Sequence, residues 1–290
     1  MHCRKFCVVS DWDYDRRMSR LSSVAPVTTA GWPDLVDELD RWQEAERSAT
    51  LWWRDDDAIA PSAKLDCLMS IAGDVPIALA VIPGCAAPQL AQWLDRFAQP
   101  FSGTGVTVLQ HGWRHSNHAA GKKSEFPAER RPEDVAFELA AGRERLSKLF
   151  EARALPILVP PWNRLDDSFL PVLPNCGIRG ISRVNPRRAL HPAAGLIEAN
   201  VHIDCVAWAE GRSFIGQGAA LGGIVQLLQK RRLGGVCANE PTGILTHHLV
   251  HDEATEAFLR RLLWVTGAHA AARWLDATEV FSSPALLEPA

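Results

Sequence analysis

Apolar and polar positions follow two patterns that take turns along the chain. Wholly apolar runs, such as residues 75–83 (VPIALAVIP) and 155–161 (LPILVPP), are typical of strands that are buried on both faces. Longer segments between them, such as residues 131–152, repeat apolar residues every three or four positions. That spacing indicates amphipathic helices. The chain is therefore predicted to fold as a parallel sheet covered by helices.

This alternation continues along most of the sequence. We predict strands at residues 50–54, 75–83, 105–110, 155–161, 177–183, 196–208 and 242–250, and helices at residues 33–47, 62–72, 87–98, 131–152, 166–176, 218–232 and 252–268. Six or seven such units favour a (β/α) barrel of about seven parallel strands over an open sheet. Residues 1–30 are predicted to be a poorly ordered N-terminal extension, and residues 31–290 a single barrel domain.

Composition and charge argue against a nucleic-acid-binding, membrane-spanning or secreted protein. A net charge of −3 provides no basic surface for the phosphates of a nucleic acid. No apolar run is long enough to span a bilayer, and none near the N-terminus has the length of a secretory signal. The seven cysteines are odd in number and scattered. We therefore expect a cytoplasmic protein that binds neither nucleic acid nor membrane, and the oligomeric state stays open.

Residues with ligand-type side chains collect where the predicted strands end. They are Asp55, Asp56 and Asp57 after the first strand, His111 and His115 after the third, Trp162, Asn163 and Arg164 after the fourth, and His247 and His248 near the last. In parallel α/β folds the carboxyl ends of the strands meet at one rim, where active sites form. The sequence therefore predicts a functional site built from several separate strands.

In the segment HGWRH, three residues separate two histidines. In a tight loop after a strand, this spacing puts the imidazoles of His111 and His115 on one side, as a divalent metal ion requires. With a strand-end aspartate, they form a candidate site of two histidines and one carboxylate. Such a site leaves positions open for water, and Zn²⁺ is the metal that we expect.

The order of these segments resembles that of the polysaccharide deacetylases, carbohydrate esterase family four, which share the chitooligosaccharide deacetylase homology domain. The segments that match the family's motifs are DDD (55–57), HGWRH (111–115), VPPWNR (159–164), DCVAW (204–208) and LTH (245–247). The resemblance covers about residues 50–250. It implies a distorted, incomplete (β/α) barrel and a metal-dependent deacetylase activity.

The resemblance also implies roles for single residues. His111 and His115 match the family's metal-binding histidines, and His247 matches its general acid. Because this chain has three adjacent aspartates, two alignments are possible. In the preferred one Asp56 is the catalytic base and Asp57 a metal ligand; in the shifted one Asp55 and Asp56 have these roles.

One position departs from the family pattern. Its proline-rich segment usually begins with an arginine that orients the catalytic base, and this chain has Val159 there. Arg54 or Arg164 could replace that arginine, although the motif itself indicates neither. The departure leaves open how the base is oriented.

Six residues are predicted to contact the substrate: Pro161, Trp162, Asn163, Arg164, Asp204 and Trp208. Trp162 lies in a predicted loop at the rim, so it is a candidate for stacking on a sugar ring. Other tryptophans, such as Trp42, Trp93 and Trp264, fall on helix faces and are predicted to be in the core. The segment 120–126 (AGKKSEF) is a polar loop for which we prefer solvated surface over the alternative of a lid.

Two functions follow from these observations. The first is a metal-dependent hydrolase that cleaves an N-acetyl-like amide of a carbohydrate or small N-acylated compound with metal-activated water. The second is a catalytically inactive protein that binds a carbohydrate or metabolite on the same fold. In either case the expected partner is a small molecule or an oligosaccharide.

Overall fold

The computed structural model describes residues 29–97 and 105–282. Most of the predicted N-terminal extension lies outside the described residues. At its end, the backbone N–H of Ala30 donates a hydrogen bond to the carbonyl of Gly218 over 3.1 Å. The division into an extension and a single domain stays a prediction.

Helices and strands alternate, as the apolar pattern predicts. The α-helices are α1 (Trp32–Glu44), α2 (Ala63–Ala72), α3 (Pro88–Leu94), α4 (Pro132–Phe150), α5 (Gln217–Arg232), α6 (Glu253–Gly267) and α7 (Ala277–Ser282). The strands are β1 (Ala49–Ala58), β2 (Ile77–Val81), β3 (Val106–His111), β4 (Ala154–Val159), β5 (Gly180–Ile181), β6 (Ile197–Glu198), β7 (Ile203–Asp204), β8 (Val206–Ala207), β9 (Ser213–Phe214), β10 (Thr242–Thr246) and β11 (Ala272–Trp274). The predicted helix at 166–176 is a 3₁₀ helix (Asp167–Cys176), because Pro171 and Pro174 interrupt α-helical bonding.

The main sheet is parallel and has the order β6-β5-β4-β3-β2-β1-β10-β7, with β11 also paired to β1. Its two edges, β6 and β7, are separated in sequence only by residues 199–202. This segment crosses the gap: the N–H of Val201 bonds the carbonyl of Arg183, and the N–H of His202 bonds that of Gly243. The predicted distorted, incomplete (β/α) barrel is therefore confirmed.

The same crossing corrects one predicted element. Residues 196–208 were expected to form one strand, but they contribute β6 to one edge of the sheet, β7 to the other, and then β8 to a small antiparallel hairpin with β9. A chain that passes from edge to edge cannot stay paired with one neighbour. Its apolar pattern gives no sign of this, because buried and half-buried residues run along its whole length.

Side chains of β1 alternate between the interior of the barrel and the surrounding helices. Trp52 packs inside with Leu109, Val159 and Leu245, whereas Trp53 packs outside with residues of the helices. The alternation follows from the two-residue period of a strand. It places Arg54 and Asp56 toward the interior and Asp55 toward the helices.

Tryptophan positions were only partly predicted. Trp42 and Trp93 are buried, as expected, but Trp264 on α6 is 73% exposed, so its predicted place in the core is wrong. α6 buries Leu259, Leu262 and Leu263, and a narrow apolar stripe is enough to dock a helix on the sheet. In the described part of the chain, no helix has the length and apolar character needed to cross a membrane.

Candidate active site

The end of β1 carries a bulge that redirects its last aspartate. The pairing of β1 with β2 shifts register between Asp55 and Ala58, and Asp57 has a φ of 73°. A left-handed residue of this kind breaks the in–out alternation of a strand. Asp56 and Asp57 can therefore both serve the carboxyl rim, although neighbours in a regular strand point to opposite faces.

Asp57 lies beside the two histidines of the HGWRH segment. Its Oδ1 is 3.1 Å from Nε2 of His111 and 3.5 Å from Nε2 of His115. The candidate ligand atoms of these three residues all lie within 4.8 Å of one another, and no other such group of three occurs in the described ranges. The predicted metal ligands are thus brought together, from β1 and from the end of β3.

The hydrogen bonding of these residues fits a metal ion. Nδ1 of His111 is 3.0 Å from the carbonyl oxygen of Val159, which can only accept, so Nδ1 carries the proton. In a neutral imidazole this leaves a lone pair on Nε2, facing Asp57 Oδ1, which has no hydrogen-bond partner although it is buried. Two electron pairs do not face each other at this distance without a shared cation, and either a proton on Nε2 or a metal ion bound to both atoms meets this need. One carboxylate and two imidazoles are a donor set that suits Zn²⁺.

The close packing of acidic residues and histidines shifts the pKa values of the three candidate ligands. Burial opposes the charge on Asp57, but the contact with His111 and the nearby histidines outweigh it and lower the pKa of Asp57. Burial also disfavours the charged form of His111, yet Asp57 and Asp56 raise its pKa. For His115, burial and the charge of His111 lower the pKa to about 4. The neutral imidazole of His115 is therefore ready to bind a metal ion at neutral pH.

A buried glutamate shapes the histidine loop. Glu125 accepts hydrogen bonds from the backbone N–H groups of Trp113 (3.0 Å), Arg114 (2.8 Å) and Ser116 (3.3 Å). Burial raises the pKa of Glu125, and these three donors oppose the rise. At Gly112 a Cβ would collide with the Glu125 carboxylate, and the φ of +58° also favours glycine.

Glu125 corrects the interpretation of residues 120–126 as solvated surface. Ser124, Glu125 and Phe126 are all buried. The sequence gives no sign of the buried position of Glu125, because a single acid in a polar loop is ordinarily a surface residue. Its proximity to the histidine loop depends on the tertiary fold, and no local pattern signals it.

The carboxylate of Asp56 is held by an arginine from its own strand. Arg54 donates from Nε to Asp56 Oδ1 over 2.8 Å and from Nη2 to Oδ2 over 3.0 Å. The same guanidinium bonds Oδ1 of Asn163 at 2.6 Å and Oγ of Ser182 at 2.7 Å, and it is fully buried. This bidentate pair fixes the orientation of Asp56.

The sequence left open whether Arg54 or Arg164 contacts Asp56, and in the structure Arg54 makes this contact. Arg164 instead donates from Nη1 to the backbone carbonyl of Lys123. Val159 is buried in β4, and its carbonyl accepts hydrogen bonds from the ring of His111 and the N–H of Gly112.

His247 lies where β10 ends and contacts the segment DCVAW. Its ring is 4.7 Å from the ring of Trp208, edge to face, and its buried Nδ1 has no hydrogen-bond partner. The indole N–H of Trp208 donates to Oδ2 of Asp204 over 2.8 Å. Burial raises the pKa of Asp204, and the nearby His247 opposes the rise. Asp204 and Trp208 are thus brought to the predicted general acid.

The proline-rich segment forms a tight turn beside the metal-ligand candidates. Residues Pro161–Asn163 form one 3₁₀ turn, and the ring of Trp162 lies 4.2 Å from that of His115. Next to it a cleft of about 720 Å³ is lined in part by Asn163 and Arg164. Four of the six predicted substrate residues, Pro161 to Arg164, therefore lie on the side of His115. The other two, Asp204 and Trp208, lie near His247.

Backbone strain is concentrated at this rim. Of the eight non-glycine residues with positive φ in the described ranges, four belong to the site: Asp57, His115, Trp162 and Asn163. Such conformations cost on the order of 1–3 kcal/mol each, so they persist only where the surroundings impose them. Their clustering distinguishes this rim from the rest of the molecule.

Asp55 lies on the other side of β1, away from these residues. Its Oδ1 is 2.5 Å from Nδ1 of His248, and its Oδ2 accepts the hydroxyl of Thr246 over 2.7 Å. Burial opposes the charge of Asp55, but the contact with His248 outweighs burial and lowers the pKa of Asp55. Burial also opposes the charge of His248, but the contact with Asp55 outweighs it and raises the pKa of His248. The shifted alignment, with Asp55 as base, therefore does not match the geometry as well as the preferred one.

Comparisons with known proteins give the fold but no sequence relative. No protein-family model matches the chain, and no curated protein sequence matches it. The fold is similar to that of a protein from Mycobacterium smegmatis assigned to the polysaccharide deacetylases, with a TM-score of 0.54, 16% identity, and coverage of 87% of this chain and 91% of that one.

Two further solved structures show weaker similarity. The family 4 carbohydrate esterase from Streptomyces lividans, in complex with acetate, has a TM-score of 0.49 and 14% identity over 77% of this chain and 90% of that one. The chitin deacetylase from Colletotrichum lindemuthianum has a TM-score of 0.49 and 12% identity over 81% of this chain and 88% of that one. At the level of the fold, the resemblance carried by the sequence motifs is confirmed.

Proposed function

We propose that the protein is a metal-dependent amide hydrolase of the polysaccharide deacetylase type. The observation that carries the proposal is the convergence of Asp57, His111 and His115, with Oδ1 of Asp57 3.1 Å from Nε2 of His111 and 3.5 Å from Nε2 of His115. Beside this cluster Asp56 is fixed by Arg54. The fold similarity to the deacetylase from Mycobacterium smegmatis supports the same reaction class.

Asp57, His111 and His115 would hold a divalent ion, with Zn²⁺ the best fit to their donor atoms. Bound there, such an ion supplies a Lewis acid that polarises an amide carbonyl and makes a water molecule more acidic. Glu125 keeps the loop of His111 and His115 in place through its three backbone contacts.

Asp56 acts as the general base. Its carboxylate accepts the proton of the attacking water, and Arg54 holds both carboxylate oxygens in a fixed plane. Because Arg54 is itself held by Asn163 and Ser182, the base cannot turn away from the site. This arrangement replaces the arginine that is absent at Val159.

His247 acts as the general acid. It gives a proton to the departing amine, so that the products are an amine and a carboxylate, which is acetate when the substrate is an N-acetyl compound. Trp208, held by Asp204, packs against the ring of His247 and restricts its position.

The substrate is proposed to be a carbohydrate or another small N-acylated compound. Trp162 presents an aromatic face beside His115, and aromatic faces stack on the apolar faces of sugar rings. A cleft of about 720 Å³ is lined by Asn163 and Arg164 but by none of the candidate metal ligands, so these two side chains are proposed to contact a part of the substrate remote from its amide, and Pro161 precedes them in the same turn. We propose further that the protein is cytoplasmic and that its metal ion is Zn²⁺.

The second candidate is a binding protein that has lost catalysis. Val159 favours it, since the family's usual arginine is missing there. The bidentate contact between Arg54 and Asp56 favours the enzyme, because it restores the missing interaction from a different strand position.

A two-stage experiment separates these candidates. Metal content of the purified full chain is measured first, and acetate release from a panel of N-acetyl amino sugars and other N-acetyl amines is measured second. We expect about one divalent ion per chain and turnover that Asp56→Asn removes. Bound metal without turnover on any substrate would favour the binding protein, and failure to retain metal would contradict both the ligand set and the enzyme.

A further inference from the structure

The third aspartate of the DDD segment has no place in the proposed chemistry. Asp55 faces the helices that surround the barrel, a layer that is otherwise mainly apolar, and it is fully buried. A buried carboxylate is costly unless it is paired and hydrogen-bonded. Asp55 has both kinds of partner, His248 at 2.5 Å and the hydroxyl of Thr246 at 2.7 Å.

These two partners flank the proposed general acid in sequence. Thr246 is the last residue of β10 and His248 begins the 3₁₀ turn His248–Val250, so both neighbours of His247 are bonded to the same carboxylate. Thr246 is further fixed by the indole N–H of Trp53 at 2.8 Å. The backbone of His247 is thereby held on both sides.

The ring of His247 depends on this backbone for its orientation. General acids are usually oriented by a hydrogen bond to the second ring nitrogen. Nδ1 of His247 is buried and has no such partner within the described structure. Its one aromatic neighbour, Trp208, makes an edge-to-face contact that restricts the ring without anchoring a nitrogen.

We propose that Asp55 is a positioning residue for His247. From the outer face of the sheet it holds Thr246 and His248, and these two residues keep His247 in the orientation in which it protonates the leaving amine on the inner face. The inference rests on the proposed function, because it explains how the general acid of that reaction is oriented. Asp55 does not touch substrate or metal, so its removal weakens protonation of the leaving group and leaves metal binding intact.

The dependence on leaving group provides the test. Asp55→Asn, which has the same shape, is compared with the unchanged protein on an N-acetylated alkyl amine and on an N-acetylated nitroaniline. An alkyl amine must be protonated as it departs, whereas a nitroanilide anion is a far better leaving group. We expect kcat on the alkyl amide to fall by about tenfold to a hundredfold, a part of the usual contribution of a general acid. On the nitroanilide the fall should be much smaller, and KM and metal content should stay the same.

Matched variants show whether the effect passes through His247. His247→Ala should give the same selective pattern with a larger loss. His248→Asn keeps an N–H donor near the position of Nδ1 and should retain more activity than His248→Leu. Thr266→Val removes a buried hydrogen bond on α6, away from this turn, and should lower thermal stability without changing the ratio of the two rates.

The outcomes separate the inference from the proposed function. If the unchanged protein hydrolyses neither these two amides nor any N-acetyl amino sugar of the panel, the proposed function fails and the inference with it. If it is active but Asp55→Asn lowers both rates equally, or lowers neither, the positioning role is overturned while the proposed function stands. If Asp55→Asn does not fold, the pair His248→Asn and His248→Leu decides by the same ratio.

Discussion

Two groups of buried polar atoms, one at each end of strands β1 and β10, differ in their hydrogen bonding. At the amino ends of β1 and β10, the guanidinium of Arg231 donates to the carbonyl and hydroxyl of Thr50, to the hydroxyl of Thr242 and to the carbonyl of Ala238. At the carboxyl ends of the same strands, Oδ1 of Asp57 and Nδ1 of His247 are buried without hydrogen-bond partners.

Glu240 repeats the pattern of the amino end. Its carboxylate accepts hydrogen bonds from the backbone N–H groups of Arg187 and Asn200, and so fixes the segment that crosses between the sheet edges. Burial lowers the pKa of Arg231 to about 10, yet the group stays charged at neutral pH and fully bonded. Here polar groups stabilise the incomplete barrel.

The difference shows which end is built for binding. A buried polar atom without a partner costs about 1–3 kcal/mol, and strained backbone adds to the cost. Other buried atoms without partners occur in the described residues, such as Nε1 of Trp42 and Oγ1 of Thr107, but at the carboxyl end such atoms coincide with the candidate metal ligands and with strained backbone. The comparison therefore leads to a sharp expectation: changes at the carboxyl end alter metal binding and catalysis, and changes at the amino end alter only stability.

The largest effect is expected at the histidine ligands. His111→Ala should abolish metal retention and lower turnover on the order of a thousandfold, because the polarising ion is lost. Metal content after gel filtration and acetate release measure both effects. His191→Ala, which removes an exposed histidine that does not line the cleft, is the control and should change neither; a His111→Ala protein that keeps stoichiometric metal would contradict the ligand set.

Removal of the base should separate catalysis from metal binding. Asp56→Asn should lower kcat by about a hundredfold or more while metal content stays at the level of the unchanged protein. The measurement is steady-state kinetics on the best N-acetyl substrate, with metal analysis of the same sample. A variant that keeps full activity would show that Asp56 is not the base.

A smaller effect is expected from the carboxylate that shapes the histidine loop. Glu125→Gln leaves at most part of its three backbone contacts, so metal affinity should fall by about tenfold, a typical effect of a residue that supports the ligands. Competition with a chelator measures the affinity. Glu129→Gln, an exposed residue of the same segment, is the matched control, and equal affinities of the two variants would disprove the role of Glu125.

The smallest effect on catalysis is expected at the amino end. Arg231→Met should reduce the free energy of unfolding by about 3 kcal/mol, because several buried acceptors lose their donor. The kcat of the folded protein should not change. Urea unfolding and kinetics test this against Lys230→Met, an exposed neighbour on α5. A loss of kcat in Arg231→Met well below its unfolding midpoint would break the contrast between the two ends.

The fold was largely predictable because buried parallel strands and amphipathic helices have distinct apolar periods. The meeting of Asp57, His111 and His115 could also be predicted, since the carboxyl ends of parallel strands share one rim. Local pattern and topology were sufficient for both. The same reasoning could not find the edge-to-edge crossing of residues 199–202, because each short strand there is paired with a different neighbour.

Details of the site depended on geometry that periodicity does not encode. Strict alternation along β1 would put Asp56 and Asp57 on opposite faces, and the positive φ of Asp57 overrides it. Arg54 reaches Asp56 because residues two apart in a strand share a face, but which arginine does so follows only from the packed structure. Glu125 lies nine to twelve residues from the N–H groups it binds, so only the folded loop brings them together.

The most direct test of the central claim is anomalous X-ray diffraction at the zinc edge from crystals grown with Zn²⁺. We predict one strong peak at about 2.0–2.2 Å from Oδ1 of Asp57, Nε2 of His111 and Nε2 of His115, the bond lengths of zinc with such ligands. No peak between these three atoms, or a peak bound only elsewhere on the protein, would contradict the account.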